Sequence, residues 1–574
     1  MAKRDYSAWS KEELTREILA LKKQKTYGLV WEQEKTKEDF DLFLNWEGEK
    51  TKEEFSPESK YKFPVLEEIK NKEINLDKNK PVNLLIEGDN YHSLAVLNFT
   101  HKKSIDVIYI DPPYNTGNKD FKYNDKFVDK EDGYRHSKWL SFMSKRLALA
   151  KNLLKDTGVI FISIDDNEFA QLKLLCDDLF GESNFIGNLI WRKKEGGGQA
   201  DDYFAREHEY ILVYSKSDKF EWRDEIVPVE EAEYNKEDKD GKFTAVKLAK
   251  WGNTSRREDR PKMYFPIKSP DDKNIFPIAP DGSDGRWRVG KKRMDELISK
   301  GLIYWQKKNE KWIPYEKVYF SEGDVKKIKE RSILYEIANT TDGANELKKI
   351  FLVKDVFQNP KPTELIKFFL KFGANENAVV LDFFAGSGTT GHVILDMNKE
   401  DNGNRRFILC TNNEDNNGDG RKICTDICYP RIQNVMNGYS TPNKEVIKGL
   451  GGNLKYFKTD FVEAEQTDKN KRKLVDNCTE MLCIKENTFE KVKDAKKFKI
   501  FKNDGHNLGI IFDDEYIDEF VKEAEKINGK IHVYVFSHDD SVPTSEFKAI
   551  KNKVTLCPIP ETILKVYRKV FKND

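Results

Sequence analysis

The segment Asp111-Pro112-Pro113-Tyr114 combines residue types that can hold an amino group. It follows the apolar run from Ile105 to Ile110, which predicts a buried β-strand and puts the segment at a strand's carboxyl end, where open α/β sheets bind ligands. Two prolines remove two N–H donors, so carbonyl oxygens and the Asp111 carboxylate remain as acceptors, while Tyr114 adds a flat face for a planar ring. An ordinary proline turn would use the same residues. The combination nevertheless fits the exocyclic amine of a flipped nucleobase.

A second segment has the composition of a ligand-binding turn. The apolar run from Ala378 to Leu381 ends at Asp382 and leads through glycines into a helix. Glycines let a ligand approach the backbone, and the helix N-terminus favours a carboxylate. Gly386, Gly388 and Gly391 satisfy a G-x-G-x-x-G pattern, which by itself would also suit a nicotinamide or flavin enzyme.

An acidic residue about 20 positions further on would complete such a cofactor site. Asp401 falls near that distance but in a predicted loop. The next apolar run, Arg406 to Cys410, predicts a strand that delivers Glu414 just beyond its end. Glu414 is therefore the candidate for this acidic residue, with its acidic and amide neighbours as alternatives.

Together these segments resemble the amino-methylating DNA methyltransferases. Asp111 to Tyr114 is similar to their catalytic motif, and Asp382 to Thr390 is similar to their S-adenosylmethionine loop. The catalytic motif comes first in the chain, as in the permuted β class. Further segments resemble the modification subunits of type III restriction systems, and the resemblance covers roughly residues 26 to 445. These segments are Glu87-Gly88-Asp89-Asn90, Asn359-Pro360-Lys361-Pro362 and Gly285-Arg286-Trp287-Arg288-Val289-Gly290.

The resemblance implies S-adenosyl-L-methionine as the cofactor and adenine N6 in double-stranded DNA as the target. Asp111 and the Pro112 carbonyl would accept the hydrogens of the amine, and Tyr114 would stack on a base extruded from the duplex. Lys361 and Pro362 would lie near the methionine end of the cofactor. The remaining expected cofactor contacts are Asp89, Asp382, Phe384, Gly386, Gly388, Thr389 and Glu414.

Two alternatives within the methyltransferases differ in the base. Cytosine N4 is chemically similar to adenine N6 and stays open, although Asp before Pro-Pro-Tyr favours adenine. Cytosine C5 methylation needs a cysteine nucleophile, commonly in a Pro-Cys pair, and this sequence contains Cys557-Pro558 but no Pro-Cys.

The stretch between Lys250 and Arg293 is the candidate DNA-contacting region. It holds twelve Lys or Arg and six Asp or Glu, a local excess of +6, interleaved with aromatic residues. Phosphate contacts depend on such local clusters, although a solvated lysine-rich surface would have the same composition. The expected DNA-binding residues are Arg256, Arg257, Arg286, Trp287, Arg288 and Lys291.

The order of elements predicts an α/β fold. Alternating strands and helices indicate a permuted Rossmann-like methyltransferase sheet, interrupted by short strands and turns that indicate an inserted target-recognition domain. A small C-terminal α/β domain follows. Residues 1–80 are expected to form a helical arm, with Leu14, Ile18 and Leu21 on its apolar face, and a charged segment. The other expected ranges are 81–194 for the catalytic half of the methyltransferase domain, 195–355 for the target-recognition domain, 356–445 for the cofactor-binding half and 446–574 for the C-terminal domain.

Composition sets the remaining bounds. The 574 residues, 38% of them hydrophobic, suffice for two or three domains with real cores. No run of about 20 apolar residues and no signal peptide is apparent, and the seven scattered cysteines suit a reduced, cytoplasmic protein without a metal site. The charge balance of 99 basic and 99 acidic residues does not exclude a DNA partner.

Two rival functions come from other classes. Gly285 to Lys291 mimics a phosphate-binding loop of a nuclease or helicase, but Lys292 replaces the Ser or Thr that would hold magnesium. A catalytically idle DNA-binding or scaffold subunit is disfavoured because both methyltransferase motifs are intact. The resemblance further implies a homodimer that binds a separate helicase-nuclease restriction subunit.

Overall fold

The computed structural model describes Ser10, Trp31 and residues 62–118, 120–123, 126–196, 203–353, 355–415, 420–463, 467–503, 505–537 and 541–571. The expected N-terminal helix with Leu14, Ile18 and Leu21 lies outside these described residues. The chain forms two compact units: one comprises the residues up to Arg223 and from Arg331 onward, and the other is Asp224–Glu330.

The first part of the larger unit alternates strands and helices. Its strands are β1 Lys62–Glu68, β2 Ile74–Asn75, β3 Val82–Glu87, β4 Ile105–Ile110, β5 Lys122–Tyr123, β6 Lys126–Phe127, β7 Leu154–Ile164, β8 Phe185–Arg192 and β9 His208–Ser215. Its helices are α1 Asn90–Thr100, α2 Arg135–Leu153 and α3 Phe169–Phe180.

The smaller unit contains short strands and one longer helix. These elements are β10 Glu225–Pro228, β11 Lys236–Asp238, β12 Gly241–Lys247, β13 Ile267–Lys268, β14 Asn274–Ile275, α4 Lys291–Ser299, β15 Ile303–Lys308, β16 Lys311–Tyr319 and β17 Val325–Ile328. Strands β11, β12, β16 and β15 form an antiparallel sheet, and β10 pairs with β17 where the chain enters and leaves the unit.

The chain then returns to the larger unit. The next elements are β18 Ile333–Leu334, α5 Thr340–Phe351, α6 Thr363–Gly373, β19 Val379–Asp382, α7 Thr389–Asp401, β20 Arg406–Thr411, α8 Tyr429–Asn437, β21 Gly438–Ser440, β22 Val446–Lys448 and β23 Asn453–Glu463. The C-terminal elements are α9 Asp468–Asp476, α10 Thr479–Glu486, β24 Glu490–Asp494, β25 Phe498–Asn503, β26 His506–Ile511, α11 Ile517–Glu525, β27 Ile531–Phe536, β28 Val554–Ile559 and α12 Glu561–Phe571.

The large sheet has the strand order β1-β23-β3-β20-β19-β4-β7-β9-β8-β18, with β2 also paired to β23. Strands β23, β3, β20, β19, β4 and β7 are parallel, and β9 runs antiparallel to both β7 and β8. The chain leaves β19 through α7 toward β20 and leaves β4 through α2 toward β7, on opposite sides. The carboxyl ends of β19 and β4 therefore meet at the switch point of the sheet, the usual ligand site of open α/β sheets.

Alternate residues of the central strands bury both faces of this sheet. Ile108 and Leu381 belong to the core on the side of α1, α2 and α3, whereas Val107 and Val380 belong to the core on the side of α6, α7 and α8. Burial on both faces explains why these strands are continuous apolar runs in the sequence. The predicted doubly wound α/β fold is confirmed.

The inserted unit is narrower than the range 195–355 expected from sequence. Strand β9 lies in the large sheet between β7 and β8, and β18 extends the same sheet beyond β8. A short apolar strand has the same pattern whichever sheet it joins, so the sequence did not locate these boundaries.

The C-terminal elements are joined closely to the methyltransferase sheet. Strand β23 lies between β1 and β3, although the sequence put residues from 446 onward in a separate domain. Beyond it, β24 to β28 form their own five-stranded sheet, and α10 and α12 share one core with α1, which is buried along its whole length. Within the described ranges no helix is long and apolar enough to cross a membrane.

Candidate active site

Four charged or hydroxyl side chains meet where β4 ends at the switch point. Lys361 Nζ lies 3.0 Å from Asp111 Oδ1 and 3.1 Å from Glu209 Oε2. The Tyr114 hydroxyl donates to Asp111 Oδ1 at 2.8 Å and contacts Glu209 Oε2 at 3.1 Å, while Lys361 Nζ lies 3.0 Å from the same hydroxyl oxygen. Lys193 Nζ, 2.9 Å from Glu209 Oε1, completes the cluster.

The electrostatics of the cluster are those of a buried network with two acids and two lysines. Burial raises the pKa of Asp111, and Lys361 offsets only part of that rise. Burial alone would lower the pKa of Lys361, but Asp111 and Glu209 outweigh it, so the pKa of Lys361 is raised. Burial alone would raise the pKa of Glu209, but Lys361 and Lys193 outweigh it and lower that pKa. Lys361 therefore stays protonated beside the ionised Glu209.

The chain before α6 explains how a lysine reaches this position. Asn359 adopts a left-handed conformation with φ 49°, and Pro362 is the N-cap residue of α6. The Lys361 carbonyl accepts a hydrogen bond from Thr389 Oγ1 at 3.2 Å. The turn thus joins the Asp111 cluster to the first residue of α7.

The Pro113 carbonyl, in the segment that follows β4, accepts a hydrogen bond from a side chain of α2. Trp139 Nε1, from the fully buried Trp139 ring in α2, donates to the Pro113 carbonyl at 2.7 Å. Lys361 Nζ lies 5.1 Å from the centre of the half-buried Tyr114 ring, close enough for a cation–π contact. The segment from Asp111 to Tyr114 thus forms one edge of the site. Its Pro113 carbonyl already accepts a hydrogen bond from Trp139.

The glycine turn after β19 is built around a buried carboxylate. Asp382 accepts from the Thr390 hydroxyl at 2.6 Å and from the Phe384 N–H at 3.0 Å. Burial raises the pKa of Asp382 to about 7. Gly386 and Gly388 have φ values of 48° and 81°, which side chains rarely adopt.

A Cβ at either glycine would also meet close neighbours. At Gly386 it would lie 3.0 Å from the Phe357 ring, and at Gly388 it would lie 3.1 Å from Cys428 Sγ. The turn needs glycine at both positions, as a backbone does where a ligand comes close. A buried acid beside an open backbone and a helix N-terminus fits a ligand that carries both a cationic and an anionic group, as an amino acid does.

A buried arginine supports this turn from behind. Arg431 in α8 is fully buried, and its Nη1 donates to Ser387 Oγ at 3.0 Å and to Thr389 Oγ1 at 2.8 Å. Its Nη2 lies 3.4 Å from Glu346 Oε2, which in turn accepts from the backbone N–H of Thr363. Arg431 therefore links the glycine turn to the N-terminus of α6.

The two other acids expected at the cofactor lie at the same edge of the sheet, after β3 and β20. Asp89 caps α1 by accepting from the Tyr91 N–H at 2.7 Å, and Arg146 Nη2 lies 3.2 Å from its carboxylate. Glu414 is exposed and pairs with Lys122 at 2.5 Å. Both carboxylates thus have protein partners with which a ribose would have to compete.

The candidate DNA-binding residues of the smaller unit divide into two groups. Arg286 and Trp287 are buried, which corrects the expectation that they face DNA. Arg286 donates to the carbonyl and the hydroxyl of Thr254, and Trp287 Nε1 donates to the Phe265 carbonyl at 2.8 Å, so their polar groups are used inside the unit. An aromatic and basic run has the same composition in a core as on a surface.

The other candidates are on the surface. Arg256 pairs with Asp281 at 2.8 Å and Arg257 with Asp284 at 3.1 Å, whereas Arg288 Nη2 lies 3.7 Å from Glu316 and Lys291 opens α4. All four are exposed.

The sequence motifs did not identify three residues of the site, which are Glu209, Lys193 and Arg431. Glu209 directly precedes the apolar run Tyr210 to Tyr214, and a lone acid at the start of a predicted strand was the available signal. Lys193 and Arg431 lie in segments rich in other charged or polar residues, so neither was distinctive.

Comparison with known proteins agrees with the motifs. The family model described as DNA methylase matches residues 105–427, which include both Asp111 and the glycine turn. The EcoPI Mod subunit of a type III restriction-modification enzyme from Escherichia phage P1 is 34% identical over 441 residues, covering 68% of each chain. The type II methyltransferase M.KpnI from Klebsiella pneumoniae is 38% identical over 59% of this chain and 85% of its own length. The StyLTI Mod subunit from Salmonella typhimurium is 35% identical, over 57% of this chain and 52% of its own. The chain belongs to the DNA methylase family.

Proposed function

We propose that the chain transfers a methyl group from S-adenosylmethionine to N6 of adenine in double-stranded DNA. The observation that carries this proposal is the acceptor edge of Asp111, Pro112 and Tyr114 beside the glycine turn at the switch point of the sheet. The similarity to type III Mod subunits and to M.KpnI supports it.

The residues around the glycine turn fit the cofactor. Asp382 offers a buried carboxylate to a positively charged group, and the N-terminus of α7 offers N–H groups to a carboxylate. Bound S-adenosylmethionine would supply an electrophilic methyl group on its sulfonium. The expected cofactor contacts in this turn are Phe384, Gly386, Gly388 and Thr389, and those in the segment joined to it are Lys361 and Pro362. Asp89 and Glu414 would reach the ribose from the ends of the neighbouring strands β3 and β20.

The acceptor edge raises the nucleophilicity of the amine. Adenine N6 shares its lone pair with the ring until its hydrogens are held by acceptors that favour a pyramidal nitrogen. Because Asp111 Oδ1 already accepts from Tyr114 and contacts Lys361, we assign Asp111 Oδ2 and the Pro112 carbonyl to the two N6 hydrogens. With S-adenosylmethionine bound, the N–C bond would form as the S–C bond breaks, and Asp111 and Pro112 would accelerate the transfer by positioning the amine.

One N6 proton is lost after transfer. Burial raises the pKa of Asp111, which makes its carboxylate a better proton acceptor than an exposed one. Lys361 holds this carboxylate in place through the 3.0 Å contact.

Single-molecule modification mapping of DNA from cells that express the chain tests the proposal. Adenine N6 methylation at one sequence context is the expected result. Methylation at cytosine N4 would instead show that the same mechanism acts on cytosine, because that amine also offers two hydrogens to the same acceptors. Unmodified DNA together with purified protein that binds no S-adenosylmethionine would overturn the proposal.

The partner proteins are part of the same proposal. The Mod relatives are named as subunits of type III restriction-modification enzymes, which supports association with a restriction subunit. We expect a homodimer whose interface buries about 2,000 Å² or more, because one subunit can then bind the site while the other methylates. Light scattering that gave a fully active monomer would exclude the dimer, and co-purification with the restriction subunit tests the second partner.

A further inference from the structure

Asn115, the residue directly after the Asp111–Tyr114 segment, is held in an unusual conformation. It has φ 58° and is 1% exposed. Asparagine adopts left-handed backbone more readily than most residues that have a side chain, and the contacts of the buried Asn115 amide hold it in this conformation. Asn115 Nδ2 donates to Glu168 Oε1 at 2.6 Å and to the Arg135 carbonyl at 3.2 Å.

Glu168 is the centre of these contacts. It precedes α3, is fully buried, and its Oε1 also lies 2.7 Å from His136 Nδ1. Arg135 Nε donates to His136 Nε2 at 3.2 Å, so a neutral His136 carries its proton on Nδ1 and donates it to Glu168. Two donors from α2 and from the catalytic loop thus meet on one carboxylate oxygen.

The arrangement is costly as a purely structural device. A buried carboxyl is expensive, and a glutamine would accept the same two hydrogen bonds at a lower desolvation cost. Among the described residues, Glu168 Oε2 and Asn115 Oδ1 are buried without a hydrogen-bond partner, which adds to that cost. Buried polar groups of this kind are concentrated at functional sites.

We infer that Glu168 is a positioning residue for methyl transfer, which acts through Asn115 to hold the Asp111–Tyr114 edge in its orientation toward the target amine. The inference rests on the proposed function. The carboxylate does not reach the acceptor atoms itself. It fixes Asn115, and Asn115 fixes the direction in which Tyr114 meets Asp111 Oδ1 at 2.8 Å. Small displacements at such an edge cost large factors in rate.

We call the contact between Glu168 and Asn115 the clamp, and the ionisation of Glu168 makes it depend on pH. Burial raises the pKa of Glu168 to about 8, partly offset by Asn115 and Arg135, with Asp165 raising it further. Burial and then Arg135 lower the pKa of His136, so His136 stays a neutral donor. The two hydrogen bonds to Oε1 become charge-assisted and stronger as Glu168 ionises. The rate of methyl transfer should therefore include a component that rises as pH passes through about 8.

Two variants separate the clamp from the backbone conformation. Asn115→Gly retains a residue that tolerates positive φ but removes the amide, and Glu168→Asp shortens the side chain that reaches it. Each should lower the single-turnover rate of methyl transfer at least about 10-fold, with S-adenosylmethionine affinity within about twofold of the native value. The double variant should be hardly slower than either single variant, because both substitutions remove the same contact between Glu168 and Asn115.

Glu168→Gln tests the pH dependence, since it keeps both acceptor contacts but cannot ionise. It should retain most activity at neutral pH and lack the rise near pH 8. Glu480→Gln in α10, whose carboxyl pKa is also raised by burial, is the matched control and should leave the rate unchanged. Melting temperatures of all variants show that they fold.

Full additivity of Asn115→Gly and Glu168→Asp, native rates in both, or identical pH profiles for the native protein and Glu168→Gln would overturn the inference. If Glu168→Asp fails to fold, Asn115→Gly and Glu168→Gln still decide it. A native protein without any methyl transfer would instead mean that the proposed function has failed.

Discussion

Lys361 Nζ lies 3.0 Å from Asp111 Oδ1, although the two residues belong to opposite halves of the permuted sheet. Lys361 is only 7% exposed and lies between Asp111 and the equally buried Glu209. Two buried carboxylates that contact the same lysine could not both ionise readily without that cation between them. The lysine from the cofactor half is therefore what allows the acceptor edge to be charged.

Lys361→Met should consequently destabilise the protein by about 3–5 kcal/mol, because it leaves buried acids uncompensated. Denaturant unfolding measures this loss. Lys491→Met breaks an exposed pair with Asp494 and serves as the control, with an expected loss of at most about 1 kcal/mol. Equal losses for the two variants would contradict the buried network.

Asp111→Asn should reduce methyl transfer by about 1,000-fold or more, because one acceptor of the N6 hydrogens becomes a donor. Affinity for S-adenosylmethionine and for DNA should change little, since the glycine turn and the smaller unit are untouched. Methyl incorporation into DNA measures the rate. Near-normal turnover in a folded Asp111→Asn protein would exclude the role assigned to the carboxylate.

Asp382 should make cofactor binding depend on pH. Burial raises its pKa from 3.8 to about 7, so the folded protein holds a proton in that window that the unfolded chain releases. The corresponding stabilisation is fully present below pH 3.8 and is lost as pH rises through about 7.

A cationic cofactor favours the ionised acid, so binding should release a proton and weaken as pH falls below about 7, by up to tenfold per pH unit. Calorimetry in buffers of different ionisation enthalpy counts the proton. Asp382→Asn should bind weakly at every pH, and an unchanged pH dependence in that variant would assign the proton to another group.

Gly386→Val should weaken S-adenosylmethionine binding by at least about 10-fold, because valine strains the positive φ and its Cβ meets the Phe357 ring. Gly133→Val is the control, since a Cβ there has no neighbour within 4 Å and no positive φ. Calorimetry gives both affinities. Native affinity in a folded Gly386→Val variant would show that the turn does not hold the cofactor.

In the smaller unit, Arg288→Ala and Lys291→Ala should each lower DNA affinity and reduce the salt slope by about one unit, without affecting cofactor affinity. Trp287→Ala should instead destabilise this unit by about 3–5 kcal/mol, because it empties a fully buried site. Binding titrations at several salt concentrations and thermal melting distinguish the two effects. If Arg288→Ala and Lys291→Ala left the salt dependence of DNA affinity unchanged, the basic cluster would be only a solvated surface.

Local patterns in the sequence were enough to predict the two loops and the class of fold. An apolar run followed by Asp111-Pro112-Pro113-Tyr114, and another followed by Asp382 and its glycines, identify two strand ends from neighbouring residues alone. Alternating strands and helices then require a doubly wound sheet. The family followed from these short segments, because each depends on backbone chemistry that few residue types supply.

Only the tertiary structure decided which distant side chains complete the site. Glu209 and Lys361 join Asp111 because β9 begins, and the turn before α6 lies, at the edge of the sheet where β4 ends. No local pattern encodes that meeting. The same holds for Glu168 at Asn115 and Arg431 at the glycine turn. Burial, too, is a property of packing: Arg286 and Trp287 look like a surface in sequence but lie in a core, and β23 belongs to the large sheet because it pairs with both β1 and β3, which are distant from it in sequence.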